Sequence, residues 1–195
     1  YQFNKNGWVH YASYAIGHKE PNRDDFEVGA ATQPNPERLQ DLEIGLEKRN
    51  KKTTWSANFY YMRYKDQLVL TGKINDVGAY TRMNVPNSYR LGIELMHTTI
   101  LTSKLQLSSN VTLSRNKIKS FTEFIDNYDT GGQDAITRNN TNIAFSPNFI
   151  AASTLAYKPT KQFTLELQTK WVGKQYLDNS SLEERSLKAF ANHDI

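Results

Sequence analysis

The side chains that most often do chemistry are present in this sequence, but their spacing suits neither catalysis nor metal binding. Cysteine is absent, which removes thiolate nucleophiles and Cys-ligated metal sites. Carboxylates are plentiful, yet none lies beside a base in a recognised catalytic motif. No two histidines have the spacing of a shared metal site; they are His10, His18, His97 and His193. We therefore predict no enzyme, no catalytic residue, no metal site and no cofactor.

Arginine and aromatic residues in the polar stretches of the chain suit ligand binding better than catalysis. Arginine presents a planar fork of donors to a carboxylate or phosphate, and tyrosine offers flat, amphipathic contact area. The candidates for ligand contact are Arg23, Tyr80, Arg82, Tyr128 and Arg138. The competing interpretation is that these stretches are polar only because they are exposed to solvent.

Charge is mixed along the chain. The 24 basic and 20 acidic residues give a net charge of +4, without the concentrated basic face that nucleic-acid binding uses. We therefore predict no nucleic-acid partner.

β-Strands must position these side chains, because apolar and polar residues alternate over most of the sequence. Successive side chains of a strand point to opposite faces, so each alternating segment has one apolar and one polar face. The polar face carries ionised residues, including Glu43, Arg90 and Glu94. The clearest segments are 41–47, 54–66, 89–96, 104–116 and 163–171, with weaker ones at 8–16 and 148–157 and a last one beginning near residue 191.

The lengths of segments and connections favour a membrane β-barrel. Several segments exceed the roughly 5–6 residues of soluble strands and suit the roughly 9–11 residues with which a tilted strand crosses a bilayer. Short turns at 49–53, 101–104 and 159–162 alternate with long loops at 17–37, 71–87, 121–147 and 175–190. This alternation is typical of outer-membrane barrels with tight periplasmic turns and long extracellular loops. A soluble β-sandwich that binds carbohydrate remains an alternative.

Composition agrees with a barrel wall. Mean hydropathy is −0.67 although aromatic residues make up 12% of the chain, as expected where one face of each strand meets lipid and the other is wet. No apolar run is long enough for a transmembrane helix, and the sequence begins without a signal-peptide pattern.

Five motifs, in order along the chain, resemble the C-terminal barrel portion of TonB-dependent outer-membrane receptors. Each motif alone is loose, but together they cover nearly the whole sequence. They are Tyr11-Ala-Ser-Tyr14, Asn35–Leu46 with its Pro36-Glu37 and Glu43-Ile-Gly45, Asn58–Val69 with its Tyr64-Lys-Asp66, Ser88–Leu95 with its Gly92-Ile-Glu94, and Trp171-Val-Gly173-Lys-Gln-Tyr176-Leu-Asp178-Asn.

This resemblance implies an all-β, antiparallel, up-and-down transmembrane β-barrel segment, with about seven to eight strands of a 22-stranded barrel. Residues 1–195 would be a partial barrel domain without plug or last strands, running from about the thirteenth strand to the start of the twentieth. The implied function is TonB-energised uptake of a scarce nutrient, such as a ferric siderophore or a cobalamin-like ligand, across the bacterial outer membrane. The implied partners are outer-membrane lipid, the receptor's own N-terminal plug domain, the TonB complex and the nutrient. A passive porin-like barrel is the alternative.

Overall fold

The protein forms one large antiparallel sheet with almost no helix. This computed structural model describes residues 2–5, 7–28, 33–75 and 78–195. Short 3-10 helices lie at Arg23–Val28 and Glu183–Arg185. Among the described residues, no helix is long and apolar enough to cross a membrane. The strands are β1 (Gln2–Lys5), β2 (Trp8–Lys19), β3 (Glu37–Arg49), β4 (Thr53–Ile74), β5 (Tyr80–Thr102), β6 (Leu105–Asn127), β7 (Gly132–Asn142), β8 (Phe149–Tyr157), β9 (Leu165–Val172), β10 (Gln175–Tyr176), β11 (Ser186–Leu187) and β12 (Phe190–Asp194).

The strand order confirms the predicted up-and-down architecture. The sheet runs β1-β2-β3-β4-β5-β6-β8-β9-β12, and β7 pairs with β6 outside this path. Every pairing between neighbours is antiparallel. Each of the predicted alternating segments overlaps a strand of this sheet, with starts that differ by one or two residues at 104, 148 and 163. Strands β1 and β7 are additional. The total of 22 strands for a complete barrel stays a prediction.

Cross-strand pairing collects the apolar residues on one face of the sheet. In an antiparallel pair, directly opposed residues lie on the same face. One such row crosses five strands, and the next row on the other face is polar. The apolar row contains Ala12, Ile44, Phe59, Ile93 and Leu113, and the polar row contains Ser13, Glu43, Tyr60, Gly92 and Ser114. Large apolar side chains on the first face are exposed, with Ile44 at 51% and Leu113 at 53%.

The sidedness predicted from alternation agrees with this register. Leu91 lies in line with Tyr61, and Leu107 shares the same face further along β6. Gly92 and Ser108, one position along from each leucine, lie on the polar face with Tyr60 and Thr98.

Two glycines on the polar face make room for tyrosine rings from neighbouring strands. The ring of Tyr11 lies where a Cβ of Gly45 would be, and the Tyr60 hydroxyl lies 2.6 Å from the corresponding position at Gly92. A side chain at either glycine would displace the tyrosine. These pairs explain the glycine in the Glu-x-Gly and Gly-x-Glu motifs, since aromatic cover compensates for the packing that a glycine lacks within a strand.

Two stretches predicted as loops, 71–87 and 121–147, are mostly β-hairpin, so those predictions were wrong. β4, β5 and β6 are 22, 23 and 23 residues long, and only residues 75–79 separate β4 from β5. The Asn75 side chain accepts a hydrogen bond from the Ala79 N–H at 2.8 Å and closes that turn. Cross-strand hydrogen bonding and burial of five side chains hold the hairpins in spite of their polar sequence. That core consists of Val69, Val85, Ile118, Phe121 and Ile143.

The two ends of the sheet differ. At the turn end, the connections are 50–52, 103–104 and 158–164; at the loop end lie the 3-10 helix Arg23–Val28, both hairpins and residues 173–189. The predicted alternation of short and long connections is therefore present, and the loop end is more ordered than a set of loops.

Candidate functional site

The loop end carries a platform of two hairpins with a third segment packed against them. We define the hairpin platform as residues 66–85, 117–142 and 177–185. Gln133 of β7 ties the hairpins together: its amide donates to the Gly72 carbonyl at 2.7 Å, and it accepts from the Ile74 N–H at 3.3 Å. Backbone atoms as well as side chains therefore fix the relative position of the hairpins.

Asn179 attaches the third segment to the β4–β5 hairpin and to the residues that follow β7. Its amide nitrogen donates to the Leu70 carbonyl at 3.0 Å, and its amide oxygen accepts from the Ala144 N–H at 2.9 Å. Asn179 is 6% exposed. Two residues on, the Ser181 hydroxyl oxygen accepts from the Asn142 N–H at 2.6 Å. The motif ending in Asp178-Asn179 thus has a structural role in docking residues 177–185.

Replacing Asn179 by alanine should release this segment. The change leaves the Leu70 carbonyl and the Ala144 N–H without their partner, and each unsatisfied buried group costs about 1–3 kcal/mol. We expect faster amide hydrogen exchange over 177–185, with unchanged exchange in β3 and β9. Asn192→Ala, an exposed asparagine in β12, is the control. Unchanged protection at 177–185 in Asn179→Ala would contradict the docking role.

Within the platform, two arginines and two carboxylates form one network. The Glu123 carboxylate is 8% exposed and accepts from Arg138 Nε at 2.7 Å and from Arg185 Nη1 at 2.9 Å. Arg185 Nη1 also donates to Asp178 Oδ2 at 3.0 Å. Burial raises the pKa of Asp178, but hydrogen bonds from Ser180 and Arg185 outweigh it and hold that pKa below its usual value. The network joins β6, β7 and the third segment.

A cleft of about 330 Å³ opens above this network. Exposed rings form part of its wall: Tyr80 is 65% exposed and Tyr128 is 92% exposed. The Lys73 ammonium lies 4.8 Å from the centre of the Phe124 ring, which also lines the cleft. Arg185 is 41% exposed. Glu123, Asp126 and Asp178 line the cleft as well, so its charged groups are of both signs. The aromatic faces offer contact area to a flat ligand.

A second ion pair fixes the 3-10 helix Arg23–Val28 to β5. Arg82 donates from Nε and Nη2 to the two oxygens of Asp25, at 2.8 and 2.6 Å, and Asp25 is 2% exposed. Burial raises the pKa of Asp25, but the hydrogen bonds from Arg82 and the Asn22 N–H, together with the Arg82 charge, outweigh it and lower that pKa.

This pair should make the helix sensitive to strong acid only. Because the folded pKa of Asp25 lies below its unfolded value, the pair stabilises the helix above the unfolded pKa, and this stability is lost as pH falls through the folded pKa. We expect proteolysis near residues 20–36 to be slow and constant from neutral pH to pH about 5 and to rise below pH about 4. Arg82→Gln should make it fast at neutral pH. Equal rates in Arg82→Gln and the parent protein would contradict this role.

The structure brings together only part of the predicted ligand-contact set. Tyr80 and Tyr128 lie on the same cleft. Arg82 and Arg138 lie in strands, with their guanidinium groups paired to Asp25 and Glu123. Arg23 is exposed in the 3-10 helix, away from the residues that line the cleft.

Sequence reasoning missed Arg185, although it is the arginine that lines the cleft. Its partner Glu123 is 62 positions away in the chain, and no local motif indicates such a contact. Asn179 had a signal, since it is the last residue of the Trp171–Asn179 motif.

The polar face of the sheet forms a second candidate surface. A cleft of about 330 Å³ is lined by Glu43, Tyr60, Arg90, Glu94 and residues 145–147, among others. Arg90 Nη1 donates to Ser146 Oγ at 2.9 Å, which holds residues 145–147 over this face. Asp41 and Asn58 each have a buried side-chain oxygen without a hydrogen-bond partner among the described residues. Carboxylates outnumber basic groups here, so the surface suits a polar partner with positive charge.

An antiparallel sheet with one apolar face, one charged face, short turns at one end and ordered hairpins at the other defines the wall of a large β-barrel. The sequence matches the model of the family described as TonB dependent receptor-like, beta-barrel, over residues 1–195. The chain therefore belongs to this family, whose members are receptors and transporters and not enzymes, and the alternative of a soluble β-sandwich is wrong.

Solved structures with the same fold are distant in sequence. The siderophore receptor PiuA from Acinetobacter baumannii is 19% identical with a TM-score of 0.73, over 98% of this chain and 27% of its own. The copper transporter OprC is 15% identical with a TM-score of 0.69, over 95% of this chain and 28% of its own. The ferric yersiniabactin uptake receptor FyuA from Yersinia pestis is 19% identical with a TM-score of 0.65, over 97% of this chain and 27% of its own. No curated protein sequence matches the chain.

Proposed function

We propose that this chain is the wall and ligand-capturing rim of a bacterial outer-membrane receptor that imports a scarce nutrient with energy from the TonB complex. The observation that carries the proposal is the family match over the whole chain, together with a sheet that exposes a continuous apolar face. In the proposed setting that face contacts lipid, the polar face lines the barrel lumen, and the hairpin platform lies outside the cell.

The proposed ligand is a ferric siderophore or a cobalamin-like molecule of similar size. The cleft at the hairpin platform supports this choice, because the rings of Tyr80, Phe124 and Tyr128 line it and the Lys73 ammonium lies over the Phe124 ring. Arg185 also lines the cleft and, like Arg82 and Arg138, would contact a ligand in competition with its carboxylate partners. Solved structures of the same fold include a siderophore receptor and a ferric yersiniabactin uptake receptor, which supports a ligand of this class. Arg23, Arg82 and Arg138 remain proposed contacts, the last two only if the ligand competes with their carboxylate partners.

The proposed partner on the lumen side is the receptor's own plug domain. This face is acidic because it carries Glu43, Glu94 and Asp41. The buried side-chain oxygens of Asp41 and Asn58 have no hydrogen-bond donor among the described residues. A plug surface with arginine or lysine side chains would satisfy both requirements.

An uptake assay in intact cells tests this function. Iron-limited cells carrying the full-length receptor are given radiolabelled ferric siderophores and cobalamin, with and without the TonB complex. We expect uptake of one ligand that disappears without TonB. Tyr80→Ala/Tyr128→Ala should reduce capture at least tenfold, since truncating an aromatic side chain that anchors a bound partner costs about 1 kcal/mol or more. Phe26→Ala, an exposed ring at the loop end outside the cleft, is the control.

The porin alternative makes the opposite prediction. Uptake that continues unchanged without TonB, at a rate proportional to ligand concentration, would identify a passive channel and contradict the proposal.

A further inference from the structure

The turn end of the sheet is strongly basic. Its connections, residues 50–52, 103–104 and 158–164, contain no aspartate or glutamate. Carboxylates lie just beside these connections: Glu47 is paired with Arg49, and Glu166 and Asp194 lie next to the β8–β9 connection, away from the β3–β4 turn. The loop end, in contrast, mixes both signs of charge. The basic residues of the turn end are Lys48, Arg49, Lys51, Lys52, Lys104, Lys158 and Lys161.

An apolar groove of about 430 Å³ lies on the apolar face directly above the β3–β4 turn. It exists because small side chains, Ala57 and Ser109, lie between bulky ones. Rings wall it on the side nearest the turn end: Trp55 stacks on His97 with ring centres 3.8 Å apart, and Trp8 lines the same groove. The volume is in the range of pockets that hold small ligands.

Lys48 lies between the groove and the basic β3–β4 turn. Lys48 lies on the apolar face with Trp8 and Trp55, and its ammonium is 4.7 Å from the centre of the Trp8 ring. Lys51 and Lys52 are exposed in the turn just beyond it, and the Lys52 carbonyl accepts from the Ile100 N–H at 2.8 Å, which fixes the turn against β5.

We infer that this groove and turn bind one anionic phospholipid of the periplasmic leaflet. An acyl chain lies along Ala57 and Ser109, the glycerol region meets Trp8, Trp55 and His97, and the phosphate lies between Lys48, Lys51 and Lys52. Tryptophan rings favour the membrane–water interface, and lysine stems follow apolar surface while the ammonium reaches the headgroup. The inference rests on the proposed function for the orientation of the barrel in the membrane.

Two features favour an anionic phospholipid over an acidic peptide: the positive charge of the turn, and the opening of the groove onto the apolar face. A basic segment beside a bilayer attracts anionic headgroups with about 1 kcal/mol per lysine, a factor of about five in affinity. The groove also opens onto the face that meets lipid, where an acidic peptide would have to bury charge in hydrocarbon.

Native mass spectrometry of the full-length receptor in mild detergent, with added phosphatidylglycerol or phosphatidylcholine, tests the site. We expect one phosphatidylglycerol to be retained in preference to phosphatidylcholine. Lys48→Gln/Lys51→Gln/Lys52→Gln should weaken retention on the order of 100-fold, following the factor of about five per lysine. The control variant Lys65→Gln/Lys119→Gln/Lys188→Gln changes three exposed lysines elsewhere in the chain and should retain the lipid.

A second pair of variants tests the groove apart from the charge. Ala57→Phe fills the groove and should abolish retention, whereas Ala12→Phe, on the same face outside it, should not. Any one of four results would overturn the inference. Two concern the lipid itself: equal retention of the two lipids, or displacement of phosphatidylglycerol by polyglutamate. The other two concern the variants: retention of phosphatidylglycerol by Ala57→Phe, or its loss from the triple-lysine control variant. TonB-dependent uptake is measured on the same protein. Uptake without selective retention overturns only this inference, and selective retention without uptake supports it while contradicting the proposed function.

Discussion

Replacing Ile93 by arginine should lower the free energy of unfolding of the full-length barrel in lipid by about 2–4 kcal/mol. Ile93 lies in the middle of the apolar face of β5, in line with Phe59 and Leu113, and its side chain is 46% exposed. An arginine there would place its charge at the depth where the bilayer solvates it least. The measurement is a urea titration of the folded barrel in lipid vesicles.

Thr112→Arg is the matched control for this substitution. Thr112 lies opposite Glu94 on the polar face, so the new guanidinium would meet water and a carboxylate. We expect a change of less than about 1 kcal/mol. Equal losses at Ile93 and Thr112, or a larger loss at Thr112, would mean that the two faces have been assigned the wrong way round.

Gly72→Ala should detach the hairpin platform without unfolding the barrel wall. Gly72 has a φ of +84°, and an added Cβ would collide with the carbonyl oxygen of Phe124 on β6. The left-handed backbone alone costs a non-glycine residue about 1–3 kcal/mol, and the collision forces β4 and β6 apart. The same movement breaks the hydrogen bond from Gln133 to the Gly72 carbonyl.

We expect fast amide exchange over 66–85 and 117–142, loss of ligand capture, and an unchanged heat-modifiable band of the folded barrel on gels. Gly131→Ala is the control, because Gly131 also has a positive φ, +72°, but an added Cβ would meet nothing within 4 Å. If both alanine variants lose capture to the same degree, backbone strain explains the loss and the collision with Phe124 does not.

Alternation predicted the barrel wall because, in the wall, the face of the sheet on which a position lies decides whether its residue is apolar. Ile44, Phe59 and Ile93 come from different strands, yet a period of two places all three on one face without knowledge of the register. The same pattern separated Leu91 from Gly92 and Leu107 from Ser108. The wall is thus a local property of the sequence.

The hairpin platform could not be predicted in this way. Its turns contain Asn75, Gly78 and Gly131, and its strands are rich in polar residues, so the segments resemble loops. What holds them is non-local: the pairing of Val69 with Met83, the burial of Ile118, and the ion pair of Arg185 with Glu123. The residues predicted to bind ligand were chosen by amino-acid type. The type of a residue does not reveal that Arg82 and Arg138 form ion pairs with Asp25 and Glu123.

In the proposed orientation, the hairpins lie outside the cell and the tight turns face the periplasm. An epitope tag inserted next to Gly131, in the β6–β7 turn, and a second one at Lys51, in the β3–β4 turn, test this directly in the full-length receptor on whole cells. We expect an impermeant antibody to label the Gly131 tag on intact cells and the Lys51 tag only after the outer membrane is opened. Labelling of the Lys51 tag on intact cells, with no labelling at Gly131, would contradict the topology and with it the proposed receptor.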